Sequence, residues 1–155
     1  MKNKFFESMY KAGCEYQEKR DAAEKQRDAF FKEEKYDEGT ALMVRFNDEN
    51  PFPFTNGAMK AFQAYQNMNY RGADCFEIED LPWPKDMKDF VNALREAGID
   101  TIVVTDQSTG LMEGIYGLTE NGCRMGALRT VTREKDHRFG SDEPERKNGI
   151  EFTIA

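Results

Sequence analysis

The chain has one histidine, His137, one tryptophan, Trp83, and three widely separated cysteines at 14, 75 and 123. With no CxxC pair and no Cys/His cluster, the residue types that build zinc sites and disulfide frameworks are missing, so reduced thiols are expected. A single histidine, set in the polar run DHRFG and far from any cysteine, is a poor general base and reads as a surface residue. Long apolar runs are also absent. The N-terminal MKNKFFESMYKAG is too polar for a signal core or a membrane span, so the expected location is the cytoplasm, with no membrane partner. No G-x-G-x-x-G or G-x-x-x-x-G-K-[ST] run is present, and the fragments PKD and REAG do not make a metal-dependent nuclease motif. No cofactor, no metal and no catalytic residue are expected.

What the chain does have is charge and aromatic surface. In 155 residues there are 22 Lys+Arg, 29 Asp+Glu, 12 Phe and 6 Tyr, so a folded, highly charged protein is expected rather than a disordered one. The net charge of −7 is unevenly placed. Residues 1–72 hold 12 basic and 12 acidic side chains, whereas 73–106 alone hold nine acids against Lys85, Lys88 and Arg95. A direct nucleic-acid binder carries the opposite sign on its working face, so a basic protein partner fits better.

Periodicity divides the chain in two. Residues 1–72 form a helical region. One long helix runs from Asn3 to about Tyr36, with near-heptad apolar positions broken at Lys19 and Gln26. A short ambiguous segment at 38–47 leans to helix. A Pro51/Pro53 break follows, and then a helix capped by Thr55 and closed at Arg71-Gly72. Residues 73–155 read as an α/β (α+β) module in βαβαββ order: a small mixed sheet with its helices on one face, beside the N-terminal helical segment. Phe76 and Ile78 alternate with Glu77 and Glu79, so the two glutamates are expected on an exposed face. Pro84 stands near the start of a helix whose Met87, Phe90, Val91 and Leu94 share one side and which ends at Gly98. TIVVT at 101–105 is a buried parallel strand, crossing over from the first. Ser108 or Thr109 caps the next helix, with Leu111, Ile115 and Leu118 inward and Gly110, Gly114 and Gly117 allowing close packing. Strands from about Arg124 to Arg133 and from Ile150 to Ile154 close the module around a polar 134–148 loop.

The candidate interface is an acidic band: Glu77, Glu79 and Asp80 at a strand end, Trp83 between two prolines, and Asp86 and Asp89 on the following helix. Such carboxylates can imitate a phosphate backbone in a basic groove, with Trp83 as an anchor. The plain alternatives are ordinary solvating charge and a Trp83 that lids the core. The turn Thr105–Gly110 lies where anions bind at a helix start, but Asp106 opposes phosphate and capping explains its residue types.

The pieces W-x-x-x-M-K-x-F-V-x-x-L-R-E-A-G, V-T-D-x-S-T and G-C-R-M, spread over Phe76–Arg133, resemble small uncharacterised proteins carried by phages, plasmids and conjugative elements of Gram-positive gut bacteria. That resemblance implies a mobile-element accessory protein, of a kind that includes inhibitors of host defence such as anti-CRISPR proteins. It carries over no catalytic residue. The expected function is therefore non-enzymatic: binding and inhibition of a host nucleic-acid-binding enzyme, such as a CRISPR effector nuclease, through the acidic surface. Helical self-association as a homo-oligomeric accessory protein is the second expectation, and a small nucleotide-binding enzyme using the Thr105–Gly110 turn the third.

Overall fold

The computed structural model describes residues 2–134 and 144–154. His137 and most of the expected 134–148 loop lie outside the described residues. The chain divides into two compact units, one made of Glu7–Phe54 and the other of Met1–Phe6 with Thr55–Ala155.

In the first unit, α1 (Lys4–Lys32, of which the first turn belongs to the other unit) is followed by α2 (Tyr36–Glu49). The ambiguous segment is thus a helix, longer than expected at both ends. Glu34, with φ 59°, makes the turn between them. Gly39 lets α2 approach α1: a Cβ there would lie 2.5 Å from the Phe31 ring. The Tyr16 ring packs against Phe46 and Phe52, with centroids 6.2 and 5.2 Å away.

The second unit contains α3 (Asn56–Arg71), β1 (Glu77–Ile78), a 3-10 turn at Pro84–Asp86, α4 (Met87–Glu96), β2 (Thr101–Val104), α5 (Leu111–Glu120), β3 (Cys123–Arg133) and β4 (Glu145–Ile154). The βαβαββ order and the small mixed sheet are as expected. Strand order is β1-β2-β4-β3, with β1 parallel to β2 and the other pairs antiparallel. The core combines Ile78, Ile102, Val103 and Phe152 of the sheet with Met87, Phe90, Val91 and Leu94 of α4. β4 starts five residues earlier than expected, because Glu145–Gly149 pair along β3 despite their polar composition.

α3 joins the sheet rather than the N-terminal helices, which moves the division from residue 72 to residue 54. Its N-cap Thr55 accepts from the Ala58 N–H at 3.2 Å, and Gly72 ends it at φ 62°. Its buried stripe, Ala61, Phe62, Tyr65 and Met68, needs an apolar neighbour. Gly57 lets α4 come close: a Cβ there would sit 2.5 Å from the Phe90 amide nitrogen and closer still to the Asp86 carbonyl oxygen. Phe6 stacks on Tyr65 and Phe76, with centroids 4.8 and 6.0 Å apart, and the Asn3 amide donates to the Ala97 carbonyl at 2.8 Å.

The chain entering β1 also bonds to the far edge of the sheet. Ala73 bridges to Arg133, the Asp74 N–H donates to the Thr132 carbonyl at 3.0 Å, and the Glu134 N–H to the Gly72 carbonyl at 3.3 Å. Residues 72–78 therefore touch β3 on one side and β2 on the other, which curls the sheet around the Arg133 side chain.

Candidate functional site

β1 and β2 are parallel and in register, Ile78 opposite Val104, so the loops leaving them emerge together. The carboxyl ends of neighbouring parallel strands are where α/β folds leave a crevice. Here the crevice is a cleft of about 670 Å³, lined by Asp80–Pro84 from the first loop, Asp106 and Ser108–Gly110 from the second, Glu113 and Gly114 of α5, and Lys60 of α3.

Asp106 holds the two loops together. Its carboxylate, 6% exposed, accepts from the Leu81 N–H at 2.9 Å and from the Ser108 N–H at 2.7 Å. Burial pushes this carboxyl up, but the two N–H donors and the Lys60 charge outweigh it, and the net shift is downward. Neither Ser108 nor Thr109 caps α5; the N-cap is Gly110, with no side-chain bond. The reason is that Asp106 captures the Ser108 amide two residues on, an Asx-type turn that satisfies the loop before the helix begins. Gly114 and Gly117 pack as expected: a Cβ at Gly114 would meet Leu81 at 2.5 Å, and one at Gly117 would meet Met87 at 3.1 Å. Those close approaches set α5 beside the Leu81-Pro82-Trp83-Pro84 segment.

Trp83 is 73% exposed. The core-lid reading is therefore excluded, and the indole stands at the cleft as a flat apolar surface. Asp80 is also exposed and pairs with the Lys60 ammonium. Asp80, Asp106 and Glu113 against Lys60 leave the lining net negative.

The rest of the acidic band does not form the exposed surface expected of it. Glu77 is buried, 5% exposed, because the sheet curls over that face. Its carboxylate accepts from the Arg133 Nε at 2.8 Å, from the Arg133 terminal nitrogen, and from the Thr105 hydroxyl at 2.6 Å. Arg133 is itself fully buried and pairs further with Glu79 and with Glu145, the latter at 3.1 Å. Glu79 is half-buried and takes Arg71 as well, with Lys147 at 3.7 Å. Burial pushes the Glu79 carboxyl up, and the Arg71, Arg133 and Lys147 cations pull it further down. Glu77 and Glu79 thus form an internal charge network rather than an exposed acidic surface. Asp86, in the 3-10 turn, and Asp89, in the first turn of α4, are half-buried beside Gly57 of α3. Of the six residues expected in the band, Asp80 and Trp83 line the cleft.

A second, smaller cavity of about 90 Å³, with Ala64 and Met68 in its wall, lies between the network and the cleft. It is lined by Gln63, Asn67, Arg71, Glu77 and Glu79, and it shares Lys60 and Asp80 with the cleft. Lys60, Asp106 and Glu113 were not singled out for this role in the sequence. The available signal was the strand–turn–helix at Thr105–Gly110; nothing local marks Lys60, 20 residues before Asp80. Among the described residues no group of three or more His, Cys, Asp or Glu could hold a metal ion, and no helix is long and apolar enough to cross a membrane.

The fold and cleft define a small α+β domain with a crevice at the ends of its two parallel strands. The chain belongs to the family described as a domain of unknown function (DUF7698), whose model matches residues 60–154, from Lys60 of the cleft through β4. No curated protein and no solved structure matches it.

Proposed function

We propose that this protein is a non-enzymatic binding protein whose cleft seats a basic segment of a partner protein. The observation that carries the reading is Trp83. A tryptophan 73% exposed between two prolines, at a cleft whose other charged lining is Asp80, Asp106, Glu113 and Lys60, offers a rigid aromatic face in a negative field. Arginine and lysine side chains are drawn to such a face by the ring quadrupole and to the carboxylates by charge. Tryptophan is also among the residues that dominate interface energetics when a partner buries them.

In its sharpest form the partner is a nucleic-acid-binding enzyme of a bacterial host, such as a CRISPR effector nuclease, and the protein acts in that host's cytoplasm as a mobile-element inhibitor. The resemblance of Phe76–Arg133 to mobile-element proteins supports that context, and the −7 net charge supports a basic partner. The test is binding of a purified DNA-free effector nuclease, measured with and without competing DNA and over a salt series. Binding should weaken with salt, compete with DNA, and fall at least tenfold in Trp83→Ala and Asp80→Lys. Binding indifferent to both substitutions removes the cleft from the mechanism.

A second reading, helical self-association, draws on the unit of Glu7–Phe54. Tyr10, Tyr36, Val44 and Phe52 are each about half exposed or more there. Light scattering on the eluting protein decides it: a monomer at all concentrations excludes this reading.

A further inference from the structure

The cleft already contains one cation. Lys60 projects from α3 to the exposed Asp80 carboxylate, and both residues line the cleft beside Trp83. We infer that Lys60 holds the place a partner's basic side chain takes, so that docking is an exchange of one cation for another at Asp80. The inference rests on the reading of the cleft as a site for basic segments.

Three features carry it. Asp80 is the exposed partner of the pair: its side chain is 72% exposed against 30% for Lys60, so an incoming guanidinium can reach the carboxylate from solvent. Arginine suits the position better than lysine, because its planar fork can bind the carboxylate while stacking on the indole. The displaced ammonium also has somewhere to go. Lys60 and Asp106 line the same cleft, and the Lys60 charge already pulls the Asp106 carboxyl down, so the ammonium keeps a carboxylate beside it after leaving Asp80. A built-in competitor of this kind lowers affinity for single stray cations and favours a segment that brings both a cation and a surface for Trp83.

A fluorescein-labelled octa-arginine peptide, followed by anisotropy at physiological ionic strength, tests the exchange. Lys60→Met should tighten binding about three- to fivefold, the range open to a partly exposed ion pair. Lys85→Met removes the same charge from an exposed neighbour outside the cleft lining and should change affinity by less than about twofold. In an Asp80→Asn background the Lys60 substitution should have an effect no larger than that of Lys85→Met. Lys60→Gln repeats the test with a polar side chain should the methionine disturb folding. If peptide binding depends on Trp83 but Lys60→Met and Lys85→Met behave alike, the exchange is wrong and the cleft reading stands. If no Trp83-dependent binding is seen in the wild type or in Lys60→Met, both fall together.

Discussion

Replacing Arg133 by methionine removes a fully buried guanidinium and strands the carboxylates around it. Glu77 is the most vulnerable to the loss, because among the described residues the Thr105 hydroxyl is the one other hydrogen-bond donor to its carboxylate. Glu79 keeps Arg71 and Lys147, and Glu145 is partly solvated. Removing one partner of a buried ion pair costs about 3–5 kcal/mol, since the survivor's desolvation is no longer offset. With an m-value of roughly 2 kcal/mol/M, that moves the urea midpoint down by about 2 M. The reverse deletion should cost less. In Glu77→Gln the arginine retains Glu79 and Glu145, and the amide oxygen can still accept from Thr105, so about 1–3 kcal/mol is expected. The double variant Glu77→Leu/Arg133→Leu should recover part of the single arginine loss, because an apolar pair needs no compensation. Urea unfolding by far-UV circular dichroism, with Trp83 fluorescence as a second probe, measures all three. A cost below about 1 kcal/mol for Arg133→Met, or a Glu77→Leu/Arg133→Leu variant as unstable as the sum of Glu77→Leu and Arg133→Leu made singly, would refute the claim that the network holds the curled sheet together.

Four further outcomes follow from the same geometry. Trp83→Ala should leave stability within about 0.5 kcal/mol, since its side chain is exposed and outside the core, while weakening the proposed partner binding at least tenfold; thermal melts and the binding assay check both. Gly57→Ala should destabilise by about 1–3 kcal/mol, because the added Cβ meets backbone atoms of the Asp86–Phe90 turn and α3 and α4 must separate; denaturant midpoints measure it. Native protein should expose one fast-reacting thiol, Cys14, to a disulfide reagent at pH 8. Cys123 is buried, and burial pushes the half-buried Cys75 thiol up to about 12; three thiols should react after unfolding. Glu79 and Asp106 both titrate below their ordinary values in the folded chain, so the unfolded chain binds more protons across that range. Their contribution is complete above the ordinary carboxylate values of about 4 and is lost as pH falls through the lower folded values. The urea midpoint should therefore decline from about pH 5 downward, and less steeply in Glu79→Gln.

Local rules carried most of the fold. The β-branched run at 101–105, the i, i+3, i+4, i+7 face of Met87–Leu94, the Thr55 cap and the glycines at 72 and 98 are signals whose physics is complete within a few residues. The βαβαββ order could therefore be read from residues alone, as could the placement of Asp80 and Trp83 at one strand end. Alternation also correctly placed Glu77 on the opposite side of its strand from Ile78, but a side of a strand is not an environment. Whether that side meets water depends on the chain at 72–74 bonding to β3, 58 residues away at Asp74 and Thr132, and on an arginine waiting there.

The same distinction governs the site. Composition determined that the module is acidic, that its sole tryptophan sits between prolines, and that motifs for metal and phosphate chemistry are missing. Only the tertiary structure decided which carboxylates are paired inside and which remain exposed at the cleft. It buried Glu77, neutralised Glu79 and drew Asp86 and Asp89 against α3. It also brought Lys60, Asp106 and Glu113 around Trp83, because parallel pairing of β1 with β2 aligns two loops that are 25 residues apart at Leu81 and Asp106. Hydrophobic periodicity is a property of neighbours along the chain. Charge pairing across a curled sheet is set by neighbours in space, and no spacing in the sequence encodes it.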